Sequence, residues 1–142
     1  MSKTPKNELD DLLQSAEDNL RENRDELARA DLLQAVEFAQ KHFGSESIET
    51  NLALQPLMKF YYRHDEFRAG DECFQQIDHN LELRKTLTHE RVQLYNDVAV
   101  ILGKRDKSED ACKLLQDALV LAEILGRQYR DIHVHALINM GY

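Results

Sequence analysis

Histidine is the residue type in this sequence whose side chains most readily bind metal ions. His133 and His135 are two residues apart, so on a helix they point roughly 200° apart and cannot share a metal ion. Asp131 and His135 are four residues apart and suit one metal ion, but a third ligand would have to come from elsewhere. No His-Glu-x-x-His or paired-cysteine motif occurs. We therefore expect structural or solvent-exposed histidines, and neither a metal site nor a cofactor.

Nucleophiles and acid–base pairs are the next groups that could support catalysis. Cys73 and Cys112 lie in amphipathic segments, where a buried thiol is inert, and we expect free thiols in a reducing cytoplasm. The sequence has no Gly-x-Ser-x-Gly elbow, and its five glycines are too far apart to form a phosphate-binding loop. Carboxylate pairs such as Asp10-Asp11 stand near helix starts, where negative charge is favourable. These patterns predict a protein that is not an enzyme.

The composition narrows both the fold and the class of partner. The 142 residues include 18 Lys and Arg against 26 Asp and Glu, a formal net charge of −8, so nucleic acids and anionic membranes are disfavoured as partners. Five glycines and two prolines are too few for the turns of a β-sandwich or barrel. Residues 1–20 contain no apolar stretch of signal-peptide length, and no run is long enough to cross a membrane. We expect one all-α, cytoplasmic domain over residues 1–142.

Helical signals alternate with short connections along the chain. Apolar residues at helical spacing predict about seven helices, which begin near Thr4, Asn23, Ser47, Asp65, Thr88, Asp106 and Tyr129. Asn23 and Asp106 open capping-box patterns, in which the first side chain caps the helix that follows. Pro56 either kinks the third helix or moves its start to near Asn51, and the apolar spacing before the proline favours the kink. Short connections make consecutive helices antiparallel neighbours.

A repeat underlies this alternation. Small residues recur at Ala28, Gly70 and Ala111, at intervals of 42 and 41 residues. Large apolar residues follow each of them by four positions, at Leu32, Phe74 and Leu115. A small residue lets the two helices of a hairpin approach closely, and large residues fill the gaps between hairpins. The period predicts repeats over approximately residues 8–44, 47–85 and 88–126, with a half repeat over 129–142.

This pattern resembles the tetratricopeptide repeat (TPR), whose signature spaces an aromatic residue or leucine, a small residue, an aromatic residue, and then alanine, phenylalanine and alanine. The best match is Leu54, Leu57, Met58 and Tyr61 followed by Phe67, Gly70 and Phe74. The longer period and the segment Ala35–Gly44 look like the kinesin-light-chain subtype. The chain departs from the pattern at Asn19, Pro56, Met58, Gly70 and Leu102. The resemblance implies antiparallel helical hairpins stacked as a right-handed superhelix, with a concave groove that holds an extended peptide or a partner's helix.

The resemblance also implies which residues line the groove, namely those on one face of the first helix of each hairpin. The second and third repeats contribute Gln55, Lys59, Tyr62, Arg63, Gln93, Asn96, Val100 and Lys104. The first repeat contributes Leu13, Glu17, Leu20 and Arg21, and the fourth contributes His135 and Ile138. Chaperone-binding members clamp a terminal carboxylate with Lys and Asn at the places of Leu13 and Glu17, so that activity is not predicted. Arg21, Arg63 and Lys104 recur at the repeat interval, either as a row of binding cations or as last-turn cations that suit the helix dipole.

These positions predict the kind of partner. Lys59, Arg63 and Lys104 are accompanied by no carboxylate among the groove positions of the second and third repeats. We expect a non-enzymatic protein-binding module whose partner segment has acidic residues flanking an apolar anchor. The alternatives are a sensor region of a larger signalling protein and a self-assembly element. The segment 136–142 reads like a first helix without its second, which predicts a homodimer formed through the C-terminal helix.

Overall fold

The computed structural model describes residues 4–84 and 88–125, and within these ranges the regular structure is entirely α-helical. The helices are α1 (Pro5–Arg21), α2 (Asp25–Phe43), α3 (Ile48–Arg63), α4 (Phe67–Glu82), α5 (Thr88–Lys104) and α6 (Ser108–Leu125). Helix α1 packs on α2, and α5 packs on α6. The predicted all-α fold of helical hairpins is confirmed. The predicted seventh helix and the dimer contact assigned to it lie outside the described residues.

At two of the predicted helix starts, those of α1 and α3, a side-chain hydroxyl caps the first turn of the helix. Pro5 occupies the first turn of α1, and the Thr4 hydroxyl accepts a hydrogen bond from the Asn7 N–H at 3.2 Å. The Ser47 hydroxyl accepts from the Thr50 N–H at 3.0 Å at the start of α3. Pro56 lies inside α3, which begins at Ile48, so the alternative of a later start is wrong.

The turn inside each hairpin repeats in structure. Asn23, Asp65 and Asp106 have φ angles of 61°, 61° and 63° and are separated by the repeat intervals. The N–H group after each of them donates to a carbonyl five residues earlier: Arg24 to Asn19 at 2.8 Å, Glu66 to Tyr61 at 2.9 Å, and Lys107 to Leu102 at 2.9 Å. This is the hydrogen bond of a Schellman motif, which ends a helix with a left-handed residue. The period seen in the sequence is therefore a period of the backbone.

This turn corrects the capping-box prediction for Asn23 and Asp106. A residue that caps a helix start has extended backbone, whereas both of these residues have positive φ. Arg24 stands at the cap position of α2 instead, and its side chain makes no capping hydrogen bond. Asn and Asp tolerate the left-handed region better than most residues. Asn23 and Asp106 therefore terminate the preceding helices, α1 and α5, and do not cap the helices that follow.

Substitution of Asp106 tests this turn. Left-handed backbone costs an ordinary residue about 1–2 kcal/mol, and glycine pays no such cost. We expect Asp106→Ala to lower the free energy of unfolding by about 1 kcal/mol. We expect Asp106→Gly to be at least as stable as the wild type, since it also removes a carboxylate from a helix C-terminus. Urea denaturation of the three proteins measures the order, and equal stability of the two variants would contradict the left-handed turn.

The described chain divides into two compact units. The first contains the residues up to Tyr61 and Glu66–Asn80, and the second contains Tyr62–Asp65 and the described residues from Leu81 onward. The core of the first unit includes Leu9, Ala28, Leu32, Ala35, Met58 and Ile77, and that of the second includes Tyr62, Val92, Val98, Ala118 and Ala122, all of them buried. The single domain expected over residues 1–142 stays a prediction.

Buried amides hold the connection between α2 and α3 against α4 in the first unit. The Asn80 amide nitrogen donates to Asn51 Oδ1 at 2.7 Å and to the Ser45 carbonyl at 3.0 Å. The Gly44 carbonyl accepts from the hydroxyls of Ser47 and Thr50 at 2.8 Å and 2.7 Å. Asn51, Thr50 and Asn80 are buried, so these bonds satisfy groups that water does not reach.

Candidate functional site

The structure distributes the predicted groove residues over both units and over different degrees of burial. Gln55 and Lys59 lie on α3 in the first unit and are half-buried. The other described groove residues of the second and third repeats belong to the second unit. Arg63, Gln93, Val100 and Lys104 are exposed there, whereas Tyr62 and Asn96 are buried. His135 lies outside the described residues. The full set of groove positions stays a prediction.

The assignment of Tyr62 as a groove contact is corrected by its burial. Its side chain is 1% exposed and is among the largest fully buried side chains of the described chain. An aromatic ring contributes more to stability than other side chains when it is removed from water, which favours packing it into the core. Tyr62 therefore offers a partner no accessible surface and stabilises the second unit.

The groove cations are free of ionic partners. The side chains of Lys59, Arg63 and Lys104 make no ion pair or hydrogen bond with any residue of 4–84 or 88–125. Arg21, the first-repeat member of the same row, is held by Glu17 at 3.9 Å and by Asp18 at 3.3 Å. The row of repeated cations is thus not uniform, because Arg21 is neutralised within its own helix.

Arg105 is a residue of this region that sequence reasoning missed. Its Nε donates to Asp65 Oδ1 at 3.0 Å, and its Nη2 donates to the backbone carbonyl of Arg63. These two bonds hold the end of α5 against the turn that follows α3. They place the backbone of Arg63 beside the side chain of Arg105, the residue after Lys104. No sequence signal identifies this pair, since 40 residues separate Asp65 from Arg105.

The side chain of Asn96 is buried on α5 and makes no hydrogen bond with the described residues. Its side chain is 4% exposed, and its Oδ1 has no partner within the described part of the chain. A buried amide group without a partner costs about 1–3 kcal/mol. Its neighbour Gln93 differs, because the Gln93 amide nitrogen donates to Asp97 Oδ1 at 3.1 Å. Asn96 Oδ1 is therefore a buried acceptor that residues 4–84 and 88–125 do not satisfy.

Replacement of Asn96 tests whether it serves folding or binding. Leucine has a similar size, and it removes the buried polar group without leaving a large cavity. We expect Asn96→Leu to raise the free energy of unfolding by about 1–2 kcal/mol. Thermal and urea denaturation measure this gain, and Asn51→Leu is the matched control, because Asn51 is bonded to Asn80 and its loss is destabilising. A destabilised Asn96→Leu variant would show that the amide has a structural partner.

A second polar cluster, in the first unit, is structural. The Arg29 guanidinium donates to both Glu66 oxygens, at 3.3 Å and 2.7 Å, and lies 5.3 Å from the centre of the Phe60 ring. Burial raises the pKa of the Cys73 thiol to about 11, with a smaller contribution from the Glu72 carboxylate. Desolvation raises the pKa of Tyr61 as well. The raised pKa values keep the Cys73 thiol and the Tyr61 hydroxyl protonated, so neither is a ready nucleophile. The contacts of Arg29 connect α2 to α3 and to Glu66, the residue before α4.

Two further observations concern the described residues. No group of three or more His, Cys, Asp or Glu side chains among them is arranged to hold a metal ion. None of the helices α1–α6 is both long enough and apolar enough to cross a membrane.

The sequence matches no protein-family model, and no curated protein matches it. Over the described residues the structure is all-helical, with α1 packed on α2 and α5 packed on α6, which is compatible with a helical repeat protein.

Proposed function

We propose that this protein is a non-enzymatic, TPR-like module, of the kinesin-light-chain subtype, that binds an acidic segment of a partner protein. Support for the repeat class comes from the three left-handed turns at Asn23, Asp65 and Asp106, which recur at intervals of 42 and 41 residues. Stacked hairpins of this kind expose one helix of every pair along a common surface, which suits an extended ligand. Both Cys73 and Cys112 are free thiols, which supports the reducing cytoplasm as the compartment.

The observation that carries the proposal is that Lys59, Arg63 and Lys104 stand at predicted groove positions and have no ionic partner among the described residues. Lys41 and Lys113, on second helices, also have none there. In a protein with a net charge of −8, carboxylates are abundant, and Arg21, Arg29 and Arg105 each have one. The three groove cations keep their charge available, and an acidic partner would supply the missing carboxylates. The helix dipole accounts for Arg63 and Lys104 in their last turns but not for Lys59, which lies a turn earlier in α3.

The expected affinity is modest. Exposed ion pairs contribute at most about 1 kcal/mol each, and salt screens them. Three such contacts and one apolar side chain of about 1.5–3 kcal/mol give at most about 6 kcal/mol, which corresponds to a Kd of tens of micromolar or weaker. Local positive potential would also raise its association rate, which predicts weaker binding at high ionic strength.

The test is capture of partner proteins by the intact chain and by the variant Lys59→Glu, Arg63→Glu, Lys104→Glu. The matched control is Lys41→Glu, Arg68→Glu, Lys113→Glu, which makes the same change of charge on the second helices α2, α4 and α6. We expect the groove variant to lose the wild-type partners and the control to keep them, with circular dichroism confirming that both are folded. Equal capture by all three proteins would refute the proposal.

A further inference from the structure

Pro56 leaves one backbone carbonyl of α3 without its helical donor. The helix runs from Ile48 to Arg63, so Pro56 lies near its middle, where proline is the least favourable residue. Proline has no backbone N–H, and the hydrogen bond to the carbonyl of Leu52, four residues earlier, cannot form. No side chain of the described residues donates to that carbonyl in its place. The Leu52 carbonyl is therefore an acceptor that the described chain does not pair along α3.

This carbonyl belongs to a partly open side of α3. At about 100° per residue, Leu52, Pro56 and Lys59 fall within roughly 60° of one another around the helix. Leu52 is 44% exposed, and Pro56 and Lys59 are half-buried. A helical carbonyl points along the axis toward the residue four positions on, so the Leu52 carbonyl lies beside the proline ring on the same side. We call this row of three residues, within the first unit, the Pro56 face.

Lys59 gives the Pro56 face a positive charge. Its side chain makes no ion pair or hydrogen bond with the described residues. At the repeat intervals, the corresponding residues are Asp10, Gln14 and Glu17 on α1 and Gln93, Asp97 and Val100 on α5. Neither of these helices combines an apolar residue, a proline and a cation at the three positions. The Pro56 face is therefore a property of α3 and not of the repeat.

We propose that the Pro56 face binds an acidic segment in extended conformation, through the backbone of the segment as well as its side chains. The inference rests on the proposed function and specifies how α3 holds the segment. A backbone N–H donates to the Leu52 carbonyl, an apolar side chain lies against Leu52 and Pro56, and a carboxylate pairs with Lys59. An extended chain has N–H groups that make no internal hydrogen bond, whereas a helix uses most of its own. The free carbonyl therefore favours an extended segment over a helix.

The spacing along α3 sets the spacing within the segment. Leu52 and Lys59 are seven positions apart, which is about 10 Å of helix. An extended peptide covers that distance in about three residues, at roughly 3.3 Å each. The apolar residue and the acidic residue of the segment should therefore be about three residues apart.

The probe is a nonapeptide with leucine at its centre and glutamate two and three residues away on each side. It is amidated at its C-terminus and carries a neutral fluorophore on its N-terminus, so that no terminal charge contributes. Three ester peptides each replace one backbone N–H by oxygen, at the leucine or at the residue on either side of it. Two further controls have alanine at the centre or lysine in place of each glutamate. Fluorescence anisotropy measures binding to the full chain at protein concentrations up to the millimolar range.

The decisive variant is Pro56→Ala, which restores the N–H that pairs with the Leu52 carbonyl. Alanine favours helix most strongly, so this variant is expected to melt at or above the wild-type temperature. We expect one ester peptide to bind the wild type about three- to tenfold more weakly than the parent peptide does, and to bind Pro56→Ala as tightly as the parent. Pro5→Ala is the matched control, because Pro5 lies in the first turn of α1, where an N–H has no carbonyl of the same helix to pair with. It should respond to every peptide as the wild type does.

The outcomes separate the Pro56 face from the proposed function. If no ester peptide binds the wild type more weakly than the parent, if Pro56→Ala shows the same loss, or if the alanine peptide binds as well as the leucine peptide, the Pro56 face is overturned. It is also overturned if Lys59→Glu keeps the preference for the glutamate peptide over the lysine peptide. In each of these cases, a wild type that prefers the glutamate peptide leaves the acidic-partner proposal standing. If the wild type binds both peptides alike, or neither, both inferences are overturned.

Discussion

Tyr62→Ala is expected to lower the free energy of unfolding by about 3–5 kcal/mol, the usual range for removing a large buried aromatic side chain. The ring is 1% exposed, so its removal takes apolar surface out of the core and leaves a cavity that the surrounding helices fill incompletely. That loss is a large fraction of the stability of a small protein, so the variant would be partly unfolded near physiological temperature.

The neighbouring tyrosine is the matched control. Tyr61→Ala removes the same atoms from a half-buried position, and we expect a loss of about 1–2 kcal/mol, because less surface returns to water. Urea denaturation followed by circular dichroism measures both variants. If Tyr62→Ala were as stable as the wild type and bound partners more weakly, Tyr62 would be a groove contact after all.

Asn80→Ala is expected to cost about 2–4 kcal/mol, because it leaves the buried acceptor Asn51 Oδ1 without its donor and also removes the hydrogen bond to the Ser45 carbonyl. Asn80 is itself fully buried, so water does not replace the lost amide. The effect should reach beyond α4, since the amide also holds the connection between α2 and α3 in place.

His79→Ala, at the preceding residue, provides the comparison. His79 Nε2 lies 2.9 Å from Glu46 Oε2, and this pair joins the same connection to α4 from the surface. Both of its side chains are more than half exposed, so we expect a loss below about 1 kcal/mol. Amide hydrogen exchange around Ser45 should accelerate in Asn80→Ala and change little in His79→Ala. Equal stability of the two variants would show that the buried amides do not hold the connection.

Several features of the fold follow from the sequence alone because their causes are local. Apolar spacing along a helix is set by the helix itself, and short connections make consecutive helices pack as hairpins. The small residues at 28, 70 and 111 are separated by 42 and 41 residues, and the turn residues with positive φ, Asn23, Asp65 and Asp106, are separated by the same intervals. The caps at Thr4 and Ser47 were also predictable, because each uses a side chain within three residues of its partner.

Other features depend on which segments lie opposite one another. The capping-box prediction at Asn23 is wrong because the same residue type suits a left-handed helix end, and the energy of the whole turn decides between the two roles. Tyr62 occupies a predicted groove position but faces the core, since helical periodicity defines a face only to within the width of a side chain.

The availability of the groove charges could be decided only by the tertiary structure. Sequence spacing identifies Arg21, Arg63 and Lys104 as equivalent, and the carboxylates one turn before Arg21, which pair with it, are already visible in the sequence. Only the tertiary structure shows that no carboxylate from another segment of the described chain reaches Arg63 or Lys104. The tie from Arg105 to the turn at Asp65 joins residues that are 40 positions apart. That Asn96 Oδ1 has no hydrogen-bond partner among the described residues is likewise a property of its surroundings and not of its residue type. The sequence by itself thus determines the helices and their period through local hydrogen bonding and apolar spacing, whereas contacts between distant segments decide which side chains stay free to bind.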